Sequence, residues 1–248
     1  MVSNCFSNYN IINVYSKKSI ESKLVTQMLC GEKFKIISRY KEWWKIRLQN
    51  DGYKGYIIKR KFITKFKPTY KVSVLAANIY GKPFNKTKKK EKLTFSSRIR
   101  VKEKHGSFVK FENGWIRTKD IKPINYKDKS MFSKIDLFKG KKYKWGGKSY
   151  KGIDCSALVQ LFLNQNNKFC PRDTKDQEKY FKKRIKLKNV KKNDMIFWKG
   201  HVAIALSKNK LIHAYGPLKK VLIMPIKKTI DRIHKTANLK IVGIRRIG

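Results

Sequence analysis

Three residues stand where they could do nucleophilic chemistry together: Cys155, His201 and His213. Cys155 lies in Tyr143–Phe162, YKWGGKSYKGIDCSALVQLF, directly after Asp154 and ahead of apolar residues at helical spacing, Leu158, Val159 and Phe162. Gly146, Gly147 and Gly152 suit a tight loop leading into that helix. A thiol at a helix start faces outward-pointing N–H groups and the positive end of the helix dipole, a setting that favours a thiolate. The dipole alone is too weak to make one: it is worth about 0.3–1 kcal/mol, and one pKa unit corresponds to about 1.36 kcal/mol. A base close to the sulfur is needed. His201 opens the apolar run His201–Leu206, and His213 sits in Leu211–Ala214. The intervening Ser207–Lys210 suits a turn, so the two runs are expected to form a hairpin with the histidines facing each other across it. That permits a relay in which Cys155 attacks, His201 takes the proton and His213 orients His201.

The other candidates lack such a setting. His105 stands before Gly106 in a turn, and His234 lies in a polar helical stretch, Asp231–Lys235. Cys5, Cys30 and Cys170 have no comparable surroundings, no C-x-x-C occurs, and the spacings suggest neither a disulfide framework nor a zinc site. Reduced thiols, no metal and no cofactor are expected.

Several segments carry a resemblance. Tyr143-x-Trp145-Gly146-Gly147, Gly152-x-Asp154-Cys155-Ser156-x-Leu158, Pro171-Arg172, Asp176-Gln177, Asp194–Phe197, His201-Val202-x-Ile204 and Ile212–Ala214 resemble, in that order, the NlpC/P60 cysteine peptidases. The resemblance implies a papain-like α+β fold and hydrolysis of bacterial cell-wall (murein) peptides, often between γ-D-glutamate and a diamino acid. It implies Cys155 as nucleophile, His201 as base, His213 as third polar residue and Tyr143 beside the oxyanion. Asp154 and Ser156 are implied to hold the substrate. The chain departs from the family pattern at Ala157, Asn193 and Ala203, where glycines are usual.

The elements that position this site begin near residue 130: a helix over 131–138, the Cys155 helix, a helix over 173–181, then antiparallel strands. Ahead of them, residues 8–66 read as short strands and turns, with Trp43–Leu48 the strongest strand and Asn50-Asp51-Gly52 a hairpin signal. Asn13–Tyr15, Gly31-Glu32, Trp43–Ile46 and Gly52–Tyr56 resemble bacterial SH3 (SH3b) domains, with Tyr53 implied as a substrate contact. Residues 69–122 repeat that order loosely. The expected organisation is an SH3-like domain at 1–67, a second at 68–124 and an NlpC/P60 domain at 125–248.

The chain of 248 residues carries 62 Lys+Arg against 16 Asp+Glu, a net charge of +46. Lysines are spread throughout, with rich Ile, Asn, Tyr and Phe, which reads as compositional bias more than as a binding patch. The rival reading is a basic SH3-like protein that binds nucleic acid or a wall polymer and carries an inactive catalytic domain, with Trp43, Trp44 and Tyr53 available to stack on bases. The first residues, MVSNCFSNYN, lack the marks of a signal peptide, and the longest apolar run, Val221–Ile226, cannot span a bilayer. The expectation is a cytoplasmic enzyme acting on peptidoglycan-derived peptides, with no nucleic-acid partner.

Overall fold

The computed structural model describes residues 4–247. The expected domain bounds include residues 1–3 and 248, which lie outside the described residues. The fold is mixed, with few helices and mostly antiparallel sheet. It divides into two compact units, one of residues up to Lys127 with 146–150 and 165–167, the other of the remainder.

In the N-terminal unit a six-stranded sheet runs in the order Asn4–Phe6, Lys33–Arg39, Trp43–Leu48, Lys54–Ile58, Ile11–Tyr15, Leu24–Leu29. Strand alternation sends Ile12, Val14, Phe34, Ile46 and Ile57 into one apolar cluster, with Trp44 and Tyr53 at its margin. The Asn50-Asp51-Gly52 signal is a turn, with Gly52 at φ +74°. Residues 70–123 form a three-stranded and a five-stranded sheet around Val72, Ile79, Leu93, Ile99 and Ile116. Cys30 packs into this second cluster, where burial pushes its thiol up to about 12.

The second unit holds a six-stranded antiparallel sheet ordered Lys183–Arg184, Ile241–Arg246, Met195–Trp198, His201–Ala205, Lys210–Tyr215, Lys220–Pro225. Helix α1 spans Cys155–Gln165 and α2 Thr174–Tyr180. Helix α3, Ile226–Ala237, intervenes between the last two strands and buries Ile226, Thr229 and Ile233. Every residue of α1 is buried, as befits a helix enclosed on all faces. The helix expected over 131–138 is instead a 3₁₀ turn at Ile135–Phe138. Its buried residues Phe132, Ile135 and Phe138 recur at an interval of three, which suits the i, i+3 geometry of a 3₁₀ turn.

Candidate active site

Asp154 sets the position of Cys155. Its Oδ1 accepts the Ala157 N–H at 2.8 Å, an N-cap that starts α1 at the cysteine. The carboxylate is also gripped by Arg172, Nη2 to Oδ2 at 2.6 Å and Nη1 to Oδ1 at 3.1 Å, a bidentate pair buried at both ends. Ser156 joins the network: its Oγ donates to Asp154 Oδ1 at 3.2 Å and accepts from Arg172 Nη1 at 2.8 Å. Gln177 of α2 donates through Nε2 to the carbonyls of Ser156 and Pro171, tying α2 to the start of α1.

On the other side, Trp198, Lys199, Gly200 and His201 form a tight hairpin, with Trp198 opposite His201 and Gly200 at φ +76°. The next hairpin pairs Ile204 with Ile212, which brings the histidines together: His201 Nε2 lies 2.9 Å from His213 Nδ1. His213 stacks on Tyr215 at 4.8 Å and 11°, fixing its plane. For His201 to accept a proton at Nδ1, its own proton must sit on Nε2 and be donated to His213 Nδ1. The His213 proton then occupies Nε2, which is buried and has no hydrogen-bond partner among the described residues.

The Cys155 sulfur meets the backbone N–H of Val202, the residue after His201, and lies 4.0 Å from Thr174 Oγ1. Burial, followed by the Asp154 charge, pushes the thiol up to about 11, while the Val202 N–H, Thr174 and Arg172 pull the other way. Burial lowers His201 to about 4, and burial with the neighbouring His201 lowers His213 to about 3. These shifts favour a neutral thiol at Cys155 and neutral imidazoles at His201 and His213. Desolvation is the largest influence on the thiol and works against the thiolate expected of the helix start. Tyr143 is half-buried, and burial together with negative charge at Cys155 and Asp154 raises its hydroxyl. Its ring faces Gly216, where an added Cβ would stand 3.4 Å from the ring carbons.

The structure thus gathers Cys155, Asp154, Ser156 and Tyr143 around the start of α1, and His201 with His213 on the sheet. Tyr53 belongs to the N-terminal unit, packed against its first cluster with its N–H held by Asp51. Arg172 and Thr174 were not singled out for roles from the sequence. The available signal was an arginine between Pro171 and Asp173 in a chain that mostly uses lysine. The three departures from glycine are benign: Asn193 takes φ +75°, a conformation asparagine tolerates, and Ala157 and Ala203 are fully packed.

The NlpC/P60 family profile matches residues 140–237, and that of the bacterial dipeptidyl-peptidase SH3 domain matches residues 14–60. Dipeptidyl-peptidase 6 of Lysinibacillus sphaericus is 39% identical over 72 residues, which are 29% of this chain and 27% of that protein. Gamma-D-glutamyl-L-lysine dipeptidyl-peptidase of Bacillus cereus is 23% identical over 239 residues, 83% of this chain and 71% of that one. The crystal structure of an NlpC/P60 family protein from Bacillus cereus ATCC 10987 superposes with a TM-score of 0.83 at 19% identity, covering 98% of this chain and 99% of that chain. The chain spans only about a quarter to a half of the first curated relatives it matches. Residues 140–237 are a domain of the NlpC/P60 family, a family of cysteine peptidases, and residues 14–60 are a bacterial dipeptidyl-peptidase SH3 domain.

Proposed function

We propose that this chain is a cysteine peptidase that hydrolyses bacterial cell-wall peptides, cutting the γ-D-glutamyl–diamino acid bond of short stem peptides. The observation that carries the proposal is the His201–His213 pair at 2.9 Å on the strand whose Val202 N–H meets the Cys155 sulfur. Cys155 attacks the γ-glutamyl carbonyl as His201 takes its proton. The Cys155 backbone N–H and the Tyr143 hydroxyl stabilise the oxyanion. His201 then protonates the leaving amine, and water releases the acyl group. His213 keeps His201 in the tautomer that leaves Nδ1 open.

The bond is suggested by the relative named as a gamma-D-glutamyl-L-lysine dipeptidyl-peptidase. Ser156 and Asp154 enter as the rim of the substrate site. Because Arg172 already engages the Asp154 carboxylate, that carboxylate acts within a neutralised network, and Tyr53 is a further proposed contact. Residues 68–124 are proposed as a second SH3-like barrel, on the strength of their own apolar cluster. A cytoplasmic location is proposed because Cys30 and Cys155 are thiols outside any disulfide, which a reducing compartment maintains. Among the described residues no helix is long and apolar enough to cross a membrane.

The test is incubation with L-Ala-γ-D-Glu-diaminopimelate and its N-acetylated copy, with products read by mass. Release of diaminopimelate from the free tripeptide is expected, with the acetylated copy cut more slowly. If the bond stays intact in both peptides, the proposal is wrong.

A further inference from the structure

Among the described residues most lysines are on the surface, but two are 1% exposed, Lys71 and Lys148. Lys148 lies in the segment ahead of the nucleophile's helix, residues 146–150, and Lys71 bonds to the segment at its end, residues 165–167. Both segments belong to the N-terminal unit.

Before the helix, Lys148 Nζ lies 2.8 and 3.0 Å from the two carboxylate oxygens of Glu32. Glu32 is fixed in turn, since its Oε2 accepts the Leu29 N–H at 2.8 Å. The Lys148 backbone N–H donates to Gln27 Oε1 at 2.9 Å, and that of Tyr150 to Thr94 Oγ1 at 3.0 Å. Gly146, at φ +68°, lets the chain pass so close to Leu24 that an added Cβ would stand 2.4 Å from its carbonyl oxygen. Leu24–Leu29 is an edge strand of the first sheet, so the segment rests against an edge that would otherwise be open.

After the helix, Lys71 Nζ donates to the carbonyl of Gln165, the last residue of α1, at 2.5 Å, and to the Tyr126 carbonyl at 2.6 Å. It also reaches Asn167 Oδ1 at 3.3 Å, while Asn167 Nδ2 donates to the Ile124 carbonyl at 3.0 Å. A cation at a helix C-terminus complements the dipole. A buried ion pair is weak support for stability, because an apolar pair of similar size often does as well; what it supplies is a defined geometry. Spending one of only 16 acidic residues on Lys148 fits that use.

We infer that Lys148 and Lys71 are positioning residues: they fix residues 146–150, ahead of the Cys155 helix, and residues 165–167, at its end, and so set how Cys155 is presented. The inference rests on the proposed peptidase reading for its effect on turnover, but its geometric content can be read without any peptide.

The experiment uses the full chain with the paired variant Glu32→Leu/Lys148→Met, which removes both charges together, and with Lys71→Met. Three quantities are measured: the melting temperature, the rate of Cys155 alkylation by iodoacetamide, and kcat and KM on the tripeptide. The paired variant is expected to melt near the parent. Its alkylation rate and kcat should change by about tenfold or more, with KM moving less, and Lys71→Met should act in the same direction. An unchanged alkylation rate and kcat in a folded paired variant would overturn the inference. If the paired variant does not fold, Gln27→Met, which removes the acceptor for the Lys148 N–H and the Gln27 Nε2 bond to Asn13 Oδ1 but leaves both charges, takes its place under the same criterion. If the parent cuts no peptide but the variants still alter alkylation, the peptidase reading fails and the anchoring stands.

Discussion

On the histidine side of Cys155 the groups are uncharged rings, with His201 and His213 at 5.1 Å and His213 on Tyr215 at 4.8 Å. On the helix side they are full charges, Asp154 and Arg172, closed into a bidentate pair. The two sides use burial in opposite ways. Burial keeps the imidazoles neutral, so that His201 does not already carry the proton it is proposed to take. It also makes the carboxylate dependent on its guanidinium, since an unpaired charge there would be costly. In the proposed reaction, charge therefore appears on the histidine side only as the reaction proceeds, against a helix side whose Asp154 charge is already paired.

The largest expected effect comes from removing the base. Loss of a positioned general base costs about 10²–10⁴-fold in rate. His201→Ala should therefore reduce turnover nearly as far as Cys155→Ser, measured as kcat/KM on the tripeptide. A His201→Ala protein that kept most of its turnover would break the pairing of the two sides.

Next is the helix side. Arg172→Met leaves Asp154 buried without its cation, which costs about 3–5 kcal/mol in such settings. Denaturant unfolding should show that loss, and Asp154→Asn/Arg172→Met should recover part of it because no lone charge remains. Equal stability of the single variant and the parent would mean that the pair is not what holds the start of α1.

Local patterns were legible in the sequence, and long-range pairings were not. The start of α1 at Cys155 follows from a loop rich in glycine and helical apolar spacing, all within a few residues, whereas the capping by Asp154 emerges only in the structure. The His201–His213 meeting follows from two short apolar runs and a turn. In contrast, Arg172 pairs with Asp154 from 18 residues away, and Lys148 with Glu32 from 116. In a chain with 62 basic residues, nothing local distinguishes the two lysines that are buried. The 131–138 stretch differs for another reason: its buried residues are Phe132, Ile135 and Phe138, and only Ile135–Phe138 winds into a 3₁₀ turn.

The smallest effect, and the sharpest test of the histidine side, is in pH. The folded values of His201 and His213, about 4 and about 3, lie below the ordinary 6.5. Between those limits the unfolded chain binds protons that the folded chain refuses. The stability these two rings contribute is therefore full above about 6.5 and is lost as pH falls through about 4 and then about 3. Thermal melts from pH 7 downward should show that slope, and His213→Asn, which keeps an acceptor for His201 but cannot titrate, should flatten it by one group's share. Turnover should obey the same logic, because the proposed base is a neutral His201. The acid limb of kcat/KM should appear near pH 4, where His201 itself gains a proton. An acid limb centred near 6.5 would mean that His201 is hydrated like a surface imidazole, and the contrast between the two sides of Cys155 would collapse.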